Sequence, residues 1–182
     1  MNKVVTSKED ILAVSKEMVA ENGVQAINMR NVARQCGVAV GSVYNYFPSK
    51  NDLMIAVIDG IWREIIQGIS DCSFSENVEK LFYSVKNGGE KYPFFFSIHS
   101  MSIARNGKDK GRETMNQYFE SVKSDLLRSL QRDPRIKQDF FSEKCTQTDF
   151  VEFVFANLIS LLVHGQDSCD VLLEIIKGTI YK

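Results

Sequence analysis

The amino-acid sequence predicts an all-α fold in which a small helix-turn-helix unit is joined to a larger helical domain. The chain has 182 residues, of which only Pro48, Pro93 and Pro134 are prolines. Long segments between these prolines repeat apolar residues with the helical period, whereas strand-like alternation is hard to find. Two short helical patterns follow one another around Gly37, which is typical of a helix-turn-helix.

The first fifty residues contain three short helical patterns. Ser7 and Asp10 have the spacing of a capping box, and the helix that they open continues until Asn22-Gly23. A second helix in MRNVARQCG ends at Gly37, a residue that tolerates the left-handed conformation of a helix stop. The third, VGSVYNYF, has its apolar residues four apart on one face. We expect the three helices to share a core formed by Ile11, Leu12, Met18, Val32, Ala33, Val43 and Phe47.

A fourth helix is predicted to connect this unit to the rest of the chain. Pro48 ends the third helix, and Ser49–Asp52 has the Ser-x-x-acid form of a new helix start. We therefore predict two domains, residues 1–48 and residues 49–182, with this connecting helix running to about Ser70. Its apolar seam is formed by Leu53, Val57, Ile61, Ile65 and Ile69.

The region after the connecting helix contains five further helical patterns, each bounded by residues that start or stop helices. They are residues 76–87, which end at Gly88-Gly89; the segment PFFFSIHSMSIARNG, which Pro93 opens and Gly107 closes; residues 110–131, after which Asp133-Pro134 breaks the pattern; DFVEFVFANLISLLVHG, which Thr146 and Asp149 cap; and DVLLEIIKGTIY.

The last two of these helices are unusually apolar. Between Phe153 and Val163 the first of them carries apolar residues nearly all round its circumference. A helix that is apolar on every side must be buried on every side. We therefore predict that helices at about 147–165 and 169–181 form a subunit interface in which the same surfaces face each other across a two-fold axis. A central core helix in a monomeric protein is the alternative interpretation.

Composition excludes several classes of protein. The chain is 44% hydrophobic and 25% charged, and no apolar run approaches the roughly 18 residues that span a bilayer. The N-terminus lacks the apolar core of a signal peptide, so we expect a cytoplasmic protein with no membrane partner. The cysteines lack a CxxC pair or a histidine cluster, and we expect ordinary thiols rather than a metal or redox site. They are Cys36, Cys72, Cys145 and Cys169.

Charge is unevenly distributed along the chain. The net charge is −1, but residues 1–50 hold six basic and four acidic residues, a balance of +2. No acidic residue occurs between Glu21 and Asp52, which leaves that span without groups that repel a phosphate backbone. A basic face that contacts only solvent would give the same distribution of charged residues. Charge therefore supports nucleic-acid binding only together with a recognition motif.

The run GVAVGSVYNYFPSKNDLMIAV, from Gly37 to Val57, resembles the DNA-binding signature of the tetracycline-repressor (TetR) family of bacterial transcriptional regulators. The resemblance extends over roughly residues 7–60. It implies an N-terminal helix-turn-helix followed by a helical ligand-binding and dimerisation domain. The signature has the form G-V-x-x-G-x-hydrophobic-Y-x-aromatic/His-F-x-x-K-x-x-L, and its fixed elements are present as Gly37, Val38, Gly41, Val43, Tyr44, Tyr46, Phe47, Lys50 and Leu53.

The resemblance also assigns DNA contacts to individual positions. Arg30 is assigned to a base or a nearby phosphate, and Asn28 to capping the second helix. Gly41 permits close approach to DNA, Asn45 has the groups for paired hydrogen bonds to adenine, and Lys50 neutralises a phosphate at a helix N-terminus. The full set of predicted contacts is Asn28, Arg30, Val40, Gly41, Ser42, Tyr44, Asn45, Tyr46 and Lys50.

Two residues depart from the family pattern. Ala39 stands where the family often has a capping Ser or Thr, so we expect the recognition helix to start less firmly. Val40 occupies a position that is often polar or basic, and we expect an apolar contact there, such as one to a thymine methyl group. The hydroxyls of Ser42 and the tyrosines are expected to bond phosphates. We therefore expect recognition of the DNA sequence to depend mainly on Arg30, Ser42, Asn45 and Tyr46.

Regulators of this family are usually controlled by a small molecule bound among the helices after the connecting one. The residues predicted to line the effector site in this chain are mostly aromatic, which suits a hydrophobic or aromatic effector. Packing in the core of the protein explains the same residues equally well. His99 and His164 are the only histidines and have no nucleophile or carboxylate partner at motif spacing, so we expect no catalytic site and no cofactor. The candidate ligand residues are Trp62, Phe95, His99, Met101, Tyr118 and Phe119.

These features together predict a homodimeric DNA-binding transcriptional regulator. The favoured form is a repressor that leaves a palindromic double-stranded DNA operator when an unidentified small molecule binds. An activator, or a ligand-independent regulator of the same build, is the alternative. A helical enzyme would need a convergent polar constellation that the sequence lacks, and a protein-interaction module would not need an acid-free span with Tyr and Lys at groove-facing positions.

Overall fold

The computed structural model describes residues 6–66, 72–93 and 110–182, without the side chains of residues 110–115. Regular structure in these ranges is helical, apart from two isolated β-bridges. The all-α prediction is confirmed. The helix predicted to follow Pro93, and the end of the connecting helix predicted near Ser70, lie outside the described residues.

Eight α-helices lie in the described ranges, and two short 3-10 helices accompany them at Val24–Ala26 and Gln138–Phe140. None of the helices described is long and apolar enough to cross a membrane. The α-helices are α1 (Lys8–Asn22), α2 (Met29–Gln35), α3 (Val40–Tyr46), α4 (Lys50–Ile65), α5 (Phe74–Lys91), α6 (Lys110–Arg132), α7 (Gln147–Val163) and α8 (Asp170–Ile180).

The described residues divide into two compact units. The first unit contains the described residues of 1–65 and 88–116, and the second unit contains those of 66–87 and 117–182. In the first unit, α1 packs against α2 and α4, and α2 packs against α3. The second unit has a large apolar core contributed by α5, α6, α7 and α8.

Local signals in the sequence fix the boundaries of the first three helices. The capping box is present, because the Ser7 Oγ accepts from the Asp10 amide at 3.0 Å and the Asp10 carboxylate accepts from the Ser7 amide at 2.9 Å. Helix α2 ends at Gln35, and Gly37, two residues later, has φ +67°. There the Val38 amide donates to the Ala33 carbonyl, a Schellman-type bond that makes the short turn into α3.

The predicted core of the first unit is almost fully confirmed. Ile11, Met18, Val32, Ala33, Val43 and Phe47 are buried. Leu12 is only half-buried, because successive residues of a helix point about 100° apart and Ile11 takes the inward direction.

The prediction that Gly88-Gly89 ends the fifth helix is wrong, because α5 continues to Lys91. Gly88 is buried, and a Cβ at this position would lie 2.6 Å from Cγ1 and 3.0 Å from Cγ2 of Ile65. Glycine therefore permits α5 and the end of α4 to approach closely, and it does not act as a helix stop.

The side chain of Asp133 joins three elements of the second unit. Its Oδ2 accepts hydrogen bonds from the Phe74 amide at 3.2 Å and the Tyr181 hydroxyl at 2.9 Å, and its Oδ1 pairs with Arg135 at 3.1 Å. The Tyr181 oxygen in turn accepts from the Ser75 amide at 2.9 Å. Burial raises the pKa of Asp133, but the hydrogen bonds from its partners outweigh burial and hold the pKa below its usual value.

The late apolar helices, which are predicted to form a subunit interface, are not buried on every side in a single chain. Phe153 and Val163 on α7 are 55% and 69% exposed, and Val171 and Ile175 on α8 are 75% and 52% exposed. The opposite face of each helix is buried in the core of the second unit. One copy of the chain therefore leaves an apolar face on both late helices open to solvent.

We expect Asp133→Asn to lower the free energy of unfolding by about 1–3 kcal/mol, since it removes the charge to which several buried donors bond. The pKa of Asp133 is lowered in the folded state, so its stabilisation is complete above the unfolded value near 3.8 and is lost as the pH falls below it. Urea unfolding at about pH 7 and about pH 3.5 measures both effects. If the difference in the free energy of unfolding between wild type and variant is as large at the lower pH as at the higher pH, the Asp133 carboxylate does not have this stabilising role.

Candidate nucleic-acid interface

Helix α3 presents one face to the core and the rest to solvent. Val43 and the following Phe47 are buried against the first unit. Ala39 precedes the helix without a side-chain hydrogen bond to it, as its departure from the family pattern predicts. Since the helix has only seven residues and no side-chain cap at its start, burial of these two apolar residues is a main source of its stability.

The predicted DNA contacts all lie at the protein surface. Three of them, Asn28, Val40 and Ser42, are half-buried. A surface position is required for contact with DNA, and no predicted contact is hidden in the core. The exposed ones are Arg30, Gly41, Tyr44, Asn45, Tyr46 and Lys50.

The two residues assigned to α2 have distinct positions. Asn28 caps the helix, because its Oδ1 accepts a hydrogen bond from the Asn31 amide at 2.9 Å. Arg30, two residues later, is exposed in the first turn of the helix. Asn28 therefore orients α2, while the Arg30 guanidinium is available to a partner in solvent.

Basic groups of the acid-free span are exposed in the first unit. Arg30 and Arg34 of α2 are exposed, and so is Lys50 in the first turn of α4. The Ser49 Oγ accepts from the Asp52 amide at 3.1 Å and so caps α4 where Lys50 begins it. Exposed cations in a span that contains no acidic residue are attractive to phosphate groups.

The tyrosines of α3 differ in what their hydroxyls do. The Tyr46 hydroxyl donates a hydrogen bond of 2.7 Å to the backbone carbonyl of Thr6. The ring of Tyr44 is 49% exposed and makes no such bond to the described residues. Thr6 was missed by the sequence reasoning, because no local pattern marks a carbonyl that is contacted by a residue forty positions away. The expected phosphate bond therefore fits the Tyr44 hydroxyl better than the Tyr46 hydroxyl.

The first unit also contains a charge network that the sequence did not predict. Glu64 of α4 accepts hydrogen bonds from Lys16 of α1 at 2.8 Å, from Lys91 at the end of α5, and from the Tyr92 hydroxyl at 3.2 Å. Partial burial raises the pKa of Glu64, but the hydrogen bonds and charges of Lys16 and Lys91 lower it to about 2. The carboxylate is thus ionised at physiological pH and ties three helices together.

The structure describes half of the predicted effector lining. Trp62 is buried in the first unit, and Tyr118 and Phe119 are half-buried in the second. The Phe119 ring packs edge-on against Phe155 at 5.3 Å, as a core residue does. The other three predicted residues, Phe95, His99 and Met101, lie outside the described residues.

Residues 11–57 match the family described as bacterial regulatory proteins, tetR family. This range includes most of α1, the helix-turn-helix of α2 and α3, and the first half of α4. The helix-turn-helix region of the chain is thus a TetR-family DNA-binding region, as the resemblance of the sequence predicts, and it marks the protein as a DNA-binding transcriptional regulator.

Three known proteins illustrate the extent of the similarity. The chain is 24% identical over 143 residues to the nucleoid occlusion factor SlmA of Vibrio cholerae, covering 75% of this chain and 72% of SlmA. It is 37% identical over 51 residues to the HTH-type transcriptional repressor KstR of Rhodococcus jostii, covering 28% of this chain and 24% of KstR. The structure of BioQ with its natural double-stranded DNA operator has the same fold, with a TM-score of 0.55, 19% identity, and coverage of 96% of this chain and 98% of BioQ.

Gly41 offers a direct test of the interface. A Cβ at Gly41 would meet no protein atom within 4 Å, so the fold does not require glycine there. We expect Gly41→Ala to leave the melting temperature unchanged or higher, because alanine is the better helix former, and to weaken DNA binding at least tenfold, or about 1.4 kcal/mol. Gly60→Ala in α4 is the matched control, because its Cβ would make only an ordinary contact with Lys16. Equal DNA affinity for both variants and wild type contradicts close approach at Gly41.

Proposed function

We propose that this TetR-family protein is a homodimeric repressor that occludes a promoter by binding a palindromic double-stranded DNA operator, and that a small hydrophobic or aromatic effector releases it. In this proposal residues 1–48 form the DNA-binding domain, and residues 49–182 form the regulatory and dimerisation domain. Two observations support this DNA-binding site. Helix α3 has a solvent-facing surface, and the neighbouring helices in the sequence, α2 and α4, have exposed cations.

Each part of this surface has its own task in the proposal. Tyr44 and Asn45 project from α3, so they reach groove walls and base edges when the helix lies in the major groove. Lys50 lies in the first turn of a helix, where its charge adds to that of free backbone amides and favours a phosphate. Arg30 supplies a further cation from α2.

We expect Lys50→Ala and Tyr44→Ala each to weaken DNA binding strongly while the protein remains folded. The two variants should differ in salt dependence. Lys50→Ala removes one phosphate contact from each protomer, which lowers the slope of log K against log salt by about 2 for a dimer, whereas Tyr44→Ala leaves the slope unchanged.

Lys144→Ala is the control for this comparison, since Lys144 is an exposed lysine of the second unit. Fluorescence anisotropy with genomic fragments that the wild-type protein selects measures affinity at several salt concentrations. Wild-type affinity in both the Lys50 and the Tyr44 variants would refute the proposed interface.

The exposed apolar faces of the late helices support the homodimer. Phe153 and Val163 lie on α7, and Val171 and Ile175 on α8, where a single chain exposes them. The other large hydrophobic residues that the structure shows as exposed are Tyr44 and Tyr46 of the recognition helix. Exposed apolar residues grouped on two neighbouring helices are typical of a protein interface, and an isologous dimer covers both copies at once.

We expect Ile175→Glu to convert the dimer to a monomer, because it places a charge in the proposed apolar interface. Helix content should change little, because the Ile175 side chain is already 52% exposed in one chain. Lys144→Glu introduces the same glutamate outside the late helices and should leave the dimer intact. Sedimentation velocity reports the oligomeric state, and circular dichroism reports the fold. A dimeric Ile175→Glu variant, or a monomeric wild type, contradicts this interface.

The Glu64 network supports a route by which an effector changes DNA binding. Glu64 holds α4 to Lys16 of α1 and to Lys91 at the end of α5, so these three helices cannot shift independently without loss of a charge pair. Repression that responds to a ligand requires two states for which the ligand has different affinities. In the proposal these helices move between the two states, and Trp62 belongs to the effector site.

We expect Glu64→Gln to reduce the effect of effector on DNA affinity several-fold, because it removes the charge that joins the three helices. Quenching of Trp62, the only tryptophan, identifies effectors in a library of apolar and aromatic compounds. DNA affinity is then compared with and without effector. Glu90→Gln is the control, since it removes an exposed carboxylate next to Lys91. An unchanged effector response in the Glu64 variant contradicts this route.

A second candidate function is favoured by the similarity to SlmA, which extends over 75% of this chain. Because SlmA is a nucleoid occlusion factor, a DNA-binding protein whose sites are not confined to promoters is the alternative to a promoter-bound repressor. An activator or a ligand-independent regulator of the same build is a further alternative. The distribution of bound fragments along the genome distinguishes a promoter-bound regulator from a protein bound at dispersed sites.

A further inference from the structure

The hydrogen bond between Tyr46 and Thr6 joins the recognition helix to the segment that leads into α1. Tyr46 is the last residue of α3, and its hydroxyl donates to the Thr6 carbonyl at 2.7 Å. Thr6 is only 8% exposed, so the acceptor is a fixed and largely buried group. The bond spans forty positions of the sequence and therefore fixes tertiary structure.

The acceptor is held in place by its own neighbours. Ser7 follows Thr6 directly and is bonded reciprocally to Asp10 in the capping box of α1. The Lys8 ammonium lies 5.7 Å from the centre of the Phe47 ring, next in the chain to Tyr46. Two adjacent residues at the end of α3 are thus in contact with the start of α1.

Helix α3 needs such a constraint. It has seven residues and begins at Ala39 without a side-chain cap. Val43 is the only buried residue within the helix itself. A helix this short is marginal without tertiary contacts, so a bond at its last residue limits fraying and rotation of the preceding turn, which carries Tyr44 and Asn45.

We propose that Tyr46 is a positioning residue for DNA recognition, which holds the recognition helix through the Thr6 carbonyl, and that it is not a phosphate contact. This inference rests on the proposed DNA-binding interface and refines it. A hydroxyl has one proton to donate, and in Tyr46 that proton is committed to Thr6. The ring remains exposed, but its task is to set the orientation of Tyr44 and Asn45.

Tyr46→Phe removes the hydroxyl alone, and Tyr44→Phe is the matched control on the same helix. Amide hydrogen exchange of residues 44–47 in the DNA-free dimer reports whether the hydroxyl holds α3. Affinity for a wild-type-selected genomic fragment and for a scrambled version of it reports recognition. The exchange measurement does not depend on DNA, so failure of the wild type to select any fragment would refute the proposed function and not the tie between Tyr46 and Thr6.

We expect Tyr46→Phe to accelerate exchange of these amides about three- to tenfold, as loss of one hydrogen bond implies. Affinity for the selected fragment should fall by a similar factor, and so should the ratio of affinities for the selected and scrambled fragments. Tyr44→Phe should weaken binding with unchanged exchange. Weaker binding of Tyr46→Phe with unchanged exchange would identify Tyr46 as a direct contact. Faster exchange with unchanged affinity and ratio would reduce the bond to a structural role, and either result overturns the proposal.

Discussion

The functional surface depends on one physical constraint, which is that a seven-residue recognition helix is not stable by itself. Isolated helices shorter than about 12–15 residues are marginal in water, and α3 has no side-chain cap at its start. The first unit compensates with buried Val43 and Phe47, with the Schellman-type turn at Gly37, and with the bond from Tyr46 to Thr6. The remaining residues of α3 are thereby free to face solvent, where the proposed function places the DNA.

Features encoded by local patterns were predictable from the sequence. Helix starts at Ser7 and Thr146 follow from capping boxes, and the stop at Gly37 follows from its tolerance of positive φ. The apolar spacing of Val43 and Phe47 predicted the buried face of α3, and hence which residues of the helix are exposed. These signals involve residues within four positions of each other, so they depend little on the tertiary fold.

Features that depend on distant residues were not predictable. The pattern at Gly88 indicates a helix stop, but the contact with Ile65, which lies 23 positions earlier, makes it an internal residue of α5. The hydroxyl of Tyr46 has the same chemistry as that of Tyr44, and only the position of Thr6 separates their tasks. Similarly, the apolar pattern of α7 does not by itself separate the residues that one chain buries from those, such as Phe153, that it leaves exposed.

The central claim is that two copies of α3, related by the two-fold axis of a dimer, read one DNA site. Hydroxyl-radical footprinting of the wild-type protein on genomic fragments that it selects tests this claim most directly. We expect two protected segments of inverted sequence whose centres are separated by about 34–36 Å of duplex, one helical turn, or a multiple of it. A single protected segment, or protection without any inverted repeat shared among the selected fragments, would contradict the account.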